Sequence, residues 1–215
     1  MRNKYFLMLV ALLAAPSAVL ASDVVITGVV DGPLTGGVPK AIEFCTLNAV
    51  PDLSIYGYGS ANNGGGTDGE EFTFPAVALP AGTFFYASSE TTGFQAFFGF
   101  TPDFDDSPTF AASINGDDAI ELFMNGVVVD IFGDINTDGS GTAWDYLDGW
   151  AYRASGTGPD GSTWTIGNWS FSGIDALDGE TTNATAATPF PLGTYVHGPV
   201  SVEETSWTRV KTLYR

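Results

Sequence analysis

Short apolar runs separated by clusters of glycine, aspartate, asparagine and proline are the feature that most restricts the folds open to this chain. Runs of this length, bounded repeatedly by turn-forming residues, are typical of the strands of an all-β sandwich or barrel. We therefore expect an all-β fold. The predicted strands cover residues 24–30, 41–47, 53–58, 71–74, 83–87, 119–124 and 127–132, with 164–171 as a further candidate.

Two local patterns add detail to this expectation. Asn125-Gly126 separates the last two predicted strands, and this dipeptide accepts the positive φ angles of a tight hairpin turn. Residues 91–98 contain three phenylalanines with the spacing i, i+3 and i+4, which predicts one short helix. We interpret this aromatic stripe as core packing. The stripe consists of Phe94, Phe97 and Phe98.

The amino-terminal segment has the composition of an export signal. Arg2 and Lys4 precede an apolar run over residues 5–15, which has the length of a signal-peptide core and is too short to span a bilayer. We expect cleavage before Ser22, so that residues 1–21 form a signal peptide and the protein is secreted. An uncleaved anchor is the alternative. No later run is apolar enough to predict a membrane span.

The charge of the chain limits its partners. The sequence has 25 acidic and 7 basic residues, for a formal net charge of −18 at pH 7. Such a surface repels nucleic acid and anionic membranes, because both are negatively charged and bind proteins through positively charged protein groups. It suits cations or a basic partner. Aromatic residues make up 13% of the chain, which is too high a share for a disordered protein.

The chain changes character near its carboxyl end. We expect one domain over residues 22–196 and a separate tail over residues 197–215, which holds Arg209, Lys211 and Arg215. One interpretation is a terminus that docks on the acidic body of the protein. The other is a sorting or anchoring signal.

The most specific local pattern is a run of oxygen-bearing side chains with the spacing of a calcium-binding loop. In a twelve-residue loop of this kind, alternate side chains point inward and a glycine at position 6, here Gly139, permits the sharp turn. Gly141 departs from the hydrophobic residue usual at position 8, and no helix is predicted on either side. The alternative is a turn whose carboxylates cap backbone amides. The candidate calcium ligands are Asp134, Asn136, Asp138, Ser140, Thr142 and Asp145.

Other reactive groups do not form a recognisable catalytic set. His197 is the single histidine, and no Gly-x-Ser-x-Gly motif is present. Cys45 is the single cysteine and lies in a predicted strand, which indicates a buried free thiol or, alternatively, an intermolecular disulfide. Acidic residues at 103, 105, 106, 117 and 118 could add cation ligands. We expect no enzymatic activity, and a metal-dependent hydrolase is kept as an alternative.

Four aromatic residues suggest a further alternative. Their spacing of two, four and two residues would place them on one face of a strand, where they could form a platform for sugar rings. Burial in the core is the competing interpretation, because aromatic side chains strongly favour burial. The four residues are Trp144, Tyr146, Trp150 and Tyr152.

Several segments together resemble the lamin-tail domain, an immunoglobulin-like β-sandwich found in exported bacterial proteins, often beside secreted nuclease or phosphatase domains. The resemblance covers about residues 22–194 and implies an immunoglobulin-like β-sandwich that acts as an accessory or binding module. The segments that carry it are Lys40-Ala41-Ile42-Glu43-Phe44, Asp52-Leu53-Ser54-Ile55-Tyr56, residues 79–86 (LPAGTFFY) and residues 115–133, which form the predicted hairpin and its flanks.

These observations combine into one functional expectation. We expect a secreted, extracellular and non-catalytic binding or surface-assembly module, stabilised by calcium, with a protein or glycan surface as its partner. Direct nucleic-acid binding and a membrane span are not expected. The alternatives are a carbohydrate-binding module that uses the aromatic platform and a metal-dependent hydrolase that uses the acidic loops.

Overall fold

A computed structural model describes residues 21–198 of the protein. The expected signal peptide, apart from residue 21, and the expected tail, apart from residues 197 and 198, lie outside the described residues. Within residues 21–198, no helix is both long and apolar enough to cross a membrane.

The described chain forms an all-β sandwich of two sheets with one short α-helix, which confirms the predicted fold class. One sheet has six strands in the order β10-β9-β1-β2-β5-β6, and the other has four in the order β4-β3-β7-β8. Neighbouring strands are antiparallel except for β5 and β6. The elements are β1 Val24–Leu34, β2 Val38–Thr46, β3 Tyr56–Ala61, β4 Phe72–Thr73, β5 Phe84–Ser88, α1 Thr91–Phe98, β6 Phe104–Asp105, β7 Ala119–Met124, β8 Val127–Phe132, β9 Gly149–Arg153 and β10 Trp169–Phe171.

The predicted hairpin is present with its predicted bounds, as strands β7 and β8. The predicted helix also has its predicted bounds and ends at Gly99, which has a φ of +83°. The strand predicted over residues 53–58 begins later, because a 3-10 turn occupies Leu53–Ile55 and the Asp52 carboxylate accepts a hydrogen bond from the backbone amide of Ser54. Strand β9 was not predicted.

The main hydrophobic core lies between the two sheets. A group of aromatic rings packs there with centroids 5.2 to 5.5 Å apart, within the usual range for offset and edge-to-face contacts. This core therefore joins both sheets through large side chains. The group consists of Phe44, Tyr58, Phe74 and Phe85.

A second layer covers the outer face of the six-stranded sheet. It is formed by α1 and by the chain that follows β10, which contributes Phe190 and Tyr195. A Cβ at Gly28 would lie 2.4 Å from the Phe190 ring, so the glycine permits this close approach. The buried Glu43 carboxylate accepts hydrogen bonds from the Tyr152 hydroxyl at 2.7 Å and the Gly193 amide at 2.8 Å. The bond from Gly193 fixes the covering segment to the sheet.

Cys45 belongs to this second layer. Its thiol is free and its side chain is 3% exposed. Burial, with a smaller contribution from the nearby Glu43 carboxylate, raises the pKa of the thiol to about 11. Of the two interpretations of this cysteine, the geometry matches the buried free thiol, because a thiol with so high a pKa is unreactive at neutral pH.

A buried ion pair connects the two sheets. Arg153 on β9 donates to both oxygens of Asp130 on β8 at 2.8 Å, and both side chains are fully buried. The same guanidinium donates to Asp160 and to the carbonyl of Ile26, and it lies 4.5 Å from the ring centroid of Trp169. Every charged group in this cluster therefore has several partners, as burial of charge requires.

The strand registers give the sandwich two distinct ends. Loops 62–69, 106–118, 133–148 and 172–178 lie at the end where β1 turns into β2, and we call this the acidic end. Loops 47–55, 75–83, 125–126 and 154–168 lie at the opposite end, which we call the terminal end. Residues 21 and 198 also lie at the terminal end, since β1 begins there and Gly156 bonds to Val196.

Candidate functional site

Acidic side chains are concentrated at the acidic end. In the terminal end and its loops, the described acidic residues are Asp23, Asp52 and Asp160. Those of the acidic end are Asp31, Asp68, Glu90, Asp105, Asp106, Asp117, Asp118, Asp134, Asp138, Asp145, Asp148, Asp175 and Asp178.

The basic side chains among residues 21–198 are Lys40 and Arg153, and both are engaged in ion pairs. Lys40 lies at the acidic end, where its ammonium group donates to Asp31 at 2.9 Å and to the carbonyl of Ile114. Neither cation is therefore available to hold an anionic ligand.

The six predicted calcium ligands lie in loop 133–148, which we call the acidic loop, and the carboxylates of its aspartates Asp134, Asp138 and Asp145 are turned to backbone amides of the same loop. Asp134 accepts from the amide of Asn136 at 2.9 Å, and Asp138 accepts from the amide of Ser140 at 2.9 Å. Asp145 accepts from the amides of Gly141 and Leu147 at 2.7 and 3.1 Å. These contacts match the alternative interpretation, in which the carboxylates stabilise turns.

The other three predicted ligands are Asn136, Ser140 and Thr142, and the Asn136 side chain is exposed. Thr142 donates its hydroxyl to the carbonyl of Gly139 at 2.7 Å, while the Ser140 side chain is exposed. Within residues 21–198, no group of three or more acidic, histidine or cysteine side chains is arranged to hold a metal ion. Calcium binding by Asp134, Asn136, Asp138, Ser140, Thr142 and Asp145 stays a prediction.

Asp117 lies among several other carboxylates of the acidic end. Partial burial and the neighbouring carboxylates of Asp118, Asp138 and Asp145 raise its pKa to about 6. Asp118 is buried and accepts from the amides of Asn63 and Asn115 at 2.9 and 3.1 Å, and burial is the main cause that raises its pKa. The bond from Asn63 thereby fixes the glycine-rich loop 62–69 to loop 106–118.

The other predicted acidic cluster also organises backbone. Asp106 is fully buried and accepts hydrogen bonds from the hydroxyls of Tyr58 and Ser89 and from the amide of Ala112. Its carbonyl accepts from the amide of Phe110 at 2.8 Å. Phe110 consequently has a φ of +57° and is 58% exposed. A bulky residue in this backbone conformation costs about 1–3 kcal/mol, a strain that is typical of functional positions.

A compact surface patch at the acidic end combines apolar and acidic groups. Leu147 and Ile174 are 42% and 49% exposed, and the amide of Asp175 donates to the carbonyl of Leu147 at 2.8 Å. The pKa of Asp148 is raised by partial burial and by the carboxylates of Asp175 and Asp178. We call these five residues the Leu147 patch.

The backbone of the Leu147 patch is fixed in an unusual conformation. Asp148 and Asp175 have φ angles of +43° and +57°, a region in which aspartate and asparagine are the best tolerated residues after glycine. The amide of Leu177 donates to the carbonyl of Asp148 at 2.9 Å and holds the two loops together. The patch is therefore preorganised.

The four predicted platform aromatics do not share an exposed face. Trp144 and Tyr146 are buried between the sheets, because β9 begins only at Gly149 and the preceding residues form turns. Trp150 and Tyr152 are on the opposite face of the six-stranded sheet, where the indole of Trp150 donates to the carbonyl of Thr188 at 2.9 Å. The aromatic-platform geometry was wrong.

A different tryptophan lines a pocket. Trp164 is partly exposed and borders a pocket of about 270 Å³ beside strand β8, together with Asp134 and Asn136 from the acidic loop. Behind it, the Trp144 ring lies with its centroid 5.5 Å away. The sequence placed Trp164 only at the start of a strand, and nothing in its local pattern indicated a pocket.

The Leu147 patch was also missed, because its two halves are far apart in the sequence. A leucine-aspartate pair and an isoleucine-aspartate pair are the only local signals.

A comparison of the chain with protein-family models found no match, and searches against curated proteins and solved structures likewise gave no match.

Proposed function

We propose that this chain is a secreted, non-catalytic binding module whose acidic end recognises a positively charged protein surface. The Leu147 patch is the single observation that carries this proposal. Exposed apolar groups surrounded by one sign of charge favour a partner with complementary charge and apolar side chains of its own.

The position of the patch supports this function. Residues 21 and 198 both lie at the terminal end, at the opposite end of the sandwich from the Leu147 patch. Loops presented at one end of a rigid sandwich are a common arrangement for recognition. The resemblance to the lamin-tail domain agrees with an accessory or surface-assembly role.

The electrostatics of the patch favour a cationic polypeptide as the partner. Leu147 and Ile174 offer apolar contact area, and Asp148, Asp175 and Asp178 can each approach a lysine or arginine. A cationic partner would also relieve the repulsion that raises the pKa of Asp148. Nucleic acid is disfavoured, because Lys40 and Arg153 are already paired with carboxylates.

The hydrogen bonds of the acidic loop favour a binding function over a hydrolytic one. Asp134, Asp138 and Asp145 accept hydrogen bonds from backbone amides and thereby hold turns in place. A hydrolytic site would instead need carboxylates converging on a metal ion with an open coordination position. The contacts made by these carboxylates therefore support a structural role.

The proposal is tested with two synthetic peptides of equal length, one alternating lysine and leucine and the other alternating glutamate and leucine. We expect the lysine peptide to bind and the glutamate peptide not to bind. The double variant Asp148→Asn/Asp175→Asn should weaken binding about five- to tenfold, as expected for two partly exposed charges. Asparagine tolerates the left-handed backbone at both positions, so the fold should be retained.

The matched control is Asp23→Asn/Asp52→Asn at the terminal end, which changes the net charge by the same amount. This control should bind the lysine peptide as the unaltered protein does, measured by calorimetry at low and high salt. Equal weakening in both double variants would show that only net charge matters and would reject the Leu147 patch. Turnover of a phosphodiester or phosphomonoester substrate would reject the non-catalytic role.

A further inference from the structure

The pocket beside Trp164 is separate in position and chemistry from the Leu147 patch. It lies along the edge of β8, between the turn at residues 133–136 and the segment 162–164, and has a volume of about 270 Å³. This is near the lower limit of the sizes usual for small-molecule sites. A ligand of one ring fits such a volume better than an extended chain.

Both walls of the pocket are held by hydrogen bonds. On one side, Asp134 accepts from the amide of Asn136 and from the hydroxyl of Thr137, each at 2.9 Å. On the other side, the amide of Gly161 donates to the carbonyl of Val129 at 3.1 Å. Asp160, which precedes this glycine, is fixed by Arg153 at 2.8 Å. The pocket is therefore largely formed before any ligand binds.

The lining combines one aromatic ring with neutral and acidic oxygen groups. Trp164 supplies a broad apolar surface, and Ile131 adds an aliphatic group. Asn136, Ser162 and Thr163 can each donate and accept hydrogen bonds, and the Asp134 carboxylate can only accept when ionised.

We propose that this pocket binds a single neutral saccharide ring. The C–H face of a pyranose ring can pack on an indole, while its hydroxyls need both donors and acceptors around them, as Asn136, Ser162 and Thr163 provide. An anionic ligand is disfavoured by Asp134 and by the lack of a basic residue in the described lining. This site is independent of the proposed recognition of a cationic partner.

A saccharide explains the lining better than a simple cation does. A cation would use the Asp134 carboxylate and the Trp164 ring but would leave the hydroxyls of Ser162 and Thr163 without a role. It would also be drawn equally to the many other carboxylates of the acidic end. The saccharide therefore accounts for more of the groups that are present.

The test is a nuclear magnetic resonance titration of the ¹⁵N-labelled protein. The probes are the methyl glycosides of glucose, galactose, mannose and N-acetylglucosamine, with tetramethylammonium as the cationic comparison. Trp164→Phe identifies the Trp164 indole signal by its loss. We expect at least one glycoside to shift this signal and the amide signals of Asn136 and Ser162, with a Kd on the order of 1 mM for so small a ligand.

Two variants test whether saccharide binding depends on the pocket lining or on the rest of the same loop. Asn136→Ala removes an exposed lining amide and should weaken binding about tenfold, whereas Ser140→Ala alters the same loop outside the pocket and should leave the Kd unchanged. Melting temperatures of both variants check the fold. The proposal is overturned if none of the glycosides shifts the Trp164 signal, if the shifts map elsewhere, or if only tetramethylammonium binds.

Discussion

The two ends of the sandwich are ordered by different kinds of interaction. At the terminal end, loops are joined by backbone hydrogen bonds, as where Val50 and Leu79 exchange two bonds of 2.9 and 2.8 Å. At the acidic end, carboxylates cap the amides of the loops, as Asp118 does for Asn63 and Asp106 does for Ala112. The loops of the acidic end are therefore held largely by carboxylate caps, whereas those of the terminal end combine backbone hydrogen bonds with the carboxylates of Asp52 and Asp160.

The two ends also differ in the charge around their exposed apolar residues. Exposed apolar residues occur at both ends, for example Val127 at 51% and Ile174 at 49% exposure. Only at the acidic end do three carboxylates, those of Asp148, Asp175 and Asp178, lie around such residues. Charge around the apolar groups, and not their number, distinguishes the proposed binding surface.

The largest expected effect concerns the two basic residues among residues 21–198, which are Lys40 at the acidic end and Arg153 beside the terminal-end loop 154–168. Replacement of the fully buried Arg153 by methionine leaves Asp130 charged, buried and without its main partner, and should lower the free energy of unfolding by about 3–5 kcal/mol. Lys40→Met at the acidic end should cost less, about 1–3 kcal/mol, because Asp31 keeps the hydrogen bond from the Asp148 amide and Lys40 is not fully buried.

Urea denaturation of both variants measures this difference. The double variant Arg153→Met/Asp130→Leu serves as the control, since removal of both charges should restore much of the loss. If Lys40→Met lowered the free energy of unfolding as much as Arg153→Met does, the predicted difference between the two ion pairs would be wrong.

The next prediction compares the stability lost when one carboxylate cap is removed at each end. Asp106→Ala leaves the Ala112 amide and two hydroxyls without their acceptor in a buried site, so we expect a loss of about 2–4 kcal/mol. Asp52→Ala at the terminal end removes an exposed cap and should cost much less. Thermal unfolding of the two variants provides the measurement, and a ranking in the opposite order would refute it.

The sequence predicted the parts of the fold that have local causes. The β7–β8 hairpin follows from Asn125-Gly126, and helix α1 follows from the spacing of its phenylalanines and from Gly99 at its end. Strand β9 was not among the predicted strands, and the aromatic-platform alternative assumed a strand over residues 144–152, whereas β9 begins only at Gly149. Local periodicity cannot reveal a turn that long-range contacts impose.

The candidate site depends almost entirely on such long-range contacts. The acidic loop was visible as a pattern, but the choice between metal ligands and amide caps depends on where each oxygen points. Phe110 has a positive φ because Asp106, buried against Tyr58 and Ser89, holds its loop. The Leu147 patch needs two loops brought together by the bond from Asp175 to Leu147. None of these arrangements has a local signature.

The third effect is a pH dependence of opposite sign at the two ends. The pKa of Asp117 is raised to about 6, so the folded state binds its proton more tightly than the unfolded state does. Its contribution to stability is complete below the unfolded pKa and is lost as the pH rises through about 6. Asp117→Asn should therefore stabilise the protein at pH 7.5, by about 1 kcal/mol after solvent screening, and have little effect at pH 4.

Asp52 at the terminal end should behave in the opposite way. Hydrogen bonds from the hydroxyl and amide of Ser54 lower its pKa, so its contribution is present at neutral pH and is lost as the pH falls through the folded pKa. Asp52→Asn should thus be slightly destabilising at pH 7.5 and neutral at acid pH. Melting curves of both variants between pH 3 and 8 decide the point, and a gain from Asp117→Asn that is equal at all pH values would contradict it.

The smallest expected effect concerns divalent cations at the acidic end. Because Asp134, Asp138 and Asp145 already accept hydrogen bonds from backbone amides, calcium and magnesium should raise the melting temperature equally, by general screening of negative charge. The measurement is thermal unfolding with each ion at equal ionic strength and with excess chelator. A calcium-specific rise that disappears in Asp134→Ala/Asp138→Ala would instead establish the loop as a calcium site. A hundredfold excess over Kd would then add about 2.7 kcal/mol. In that case the acidic end would be stabilised by a bound ion as well as by its own carboxylates, and the contrast with the terminal end would become sharper.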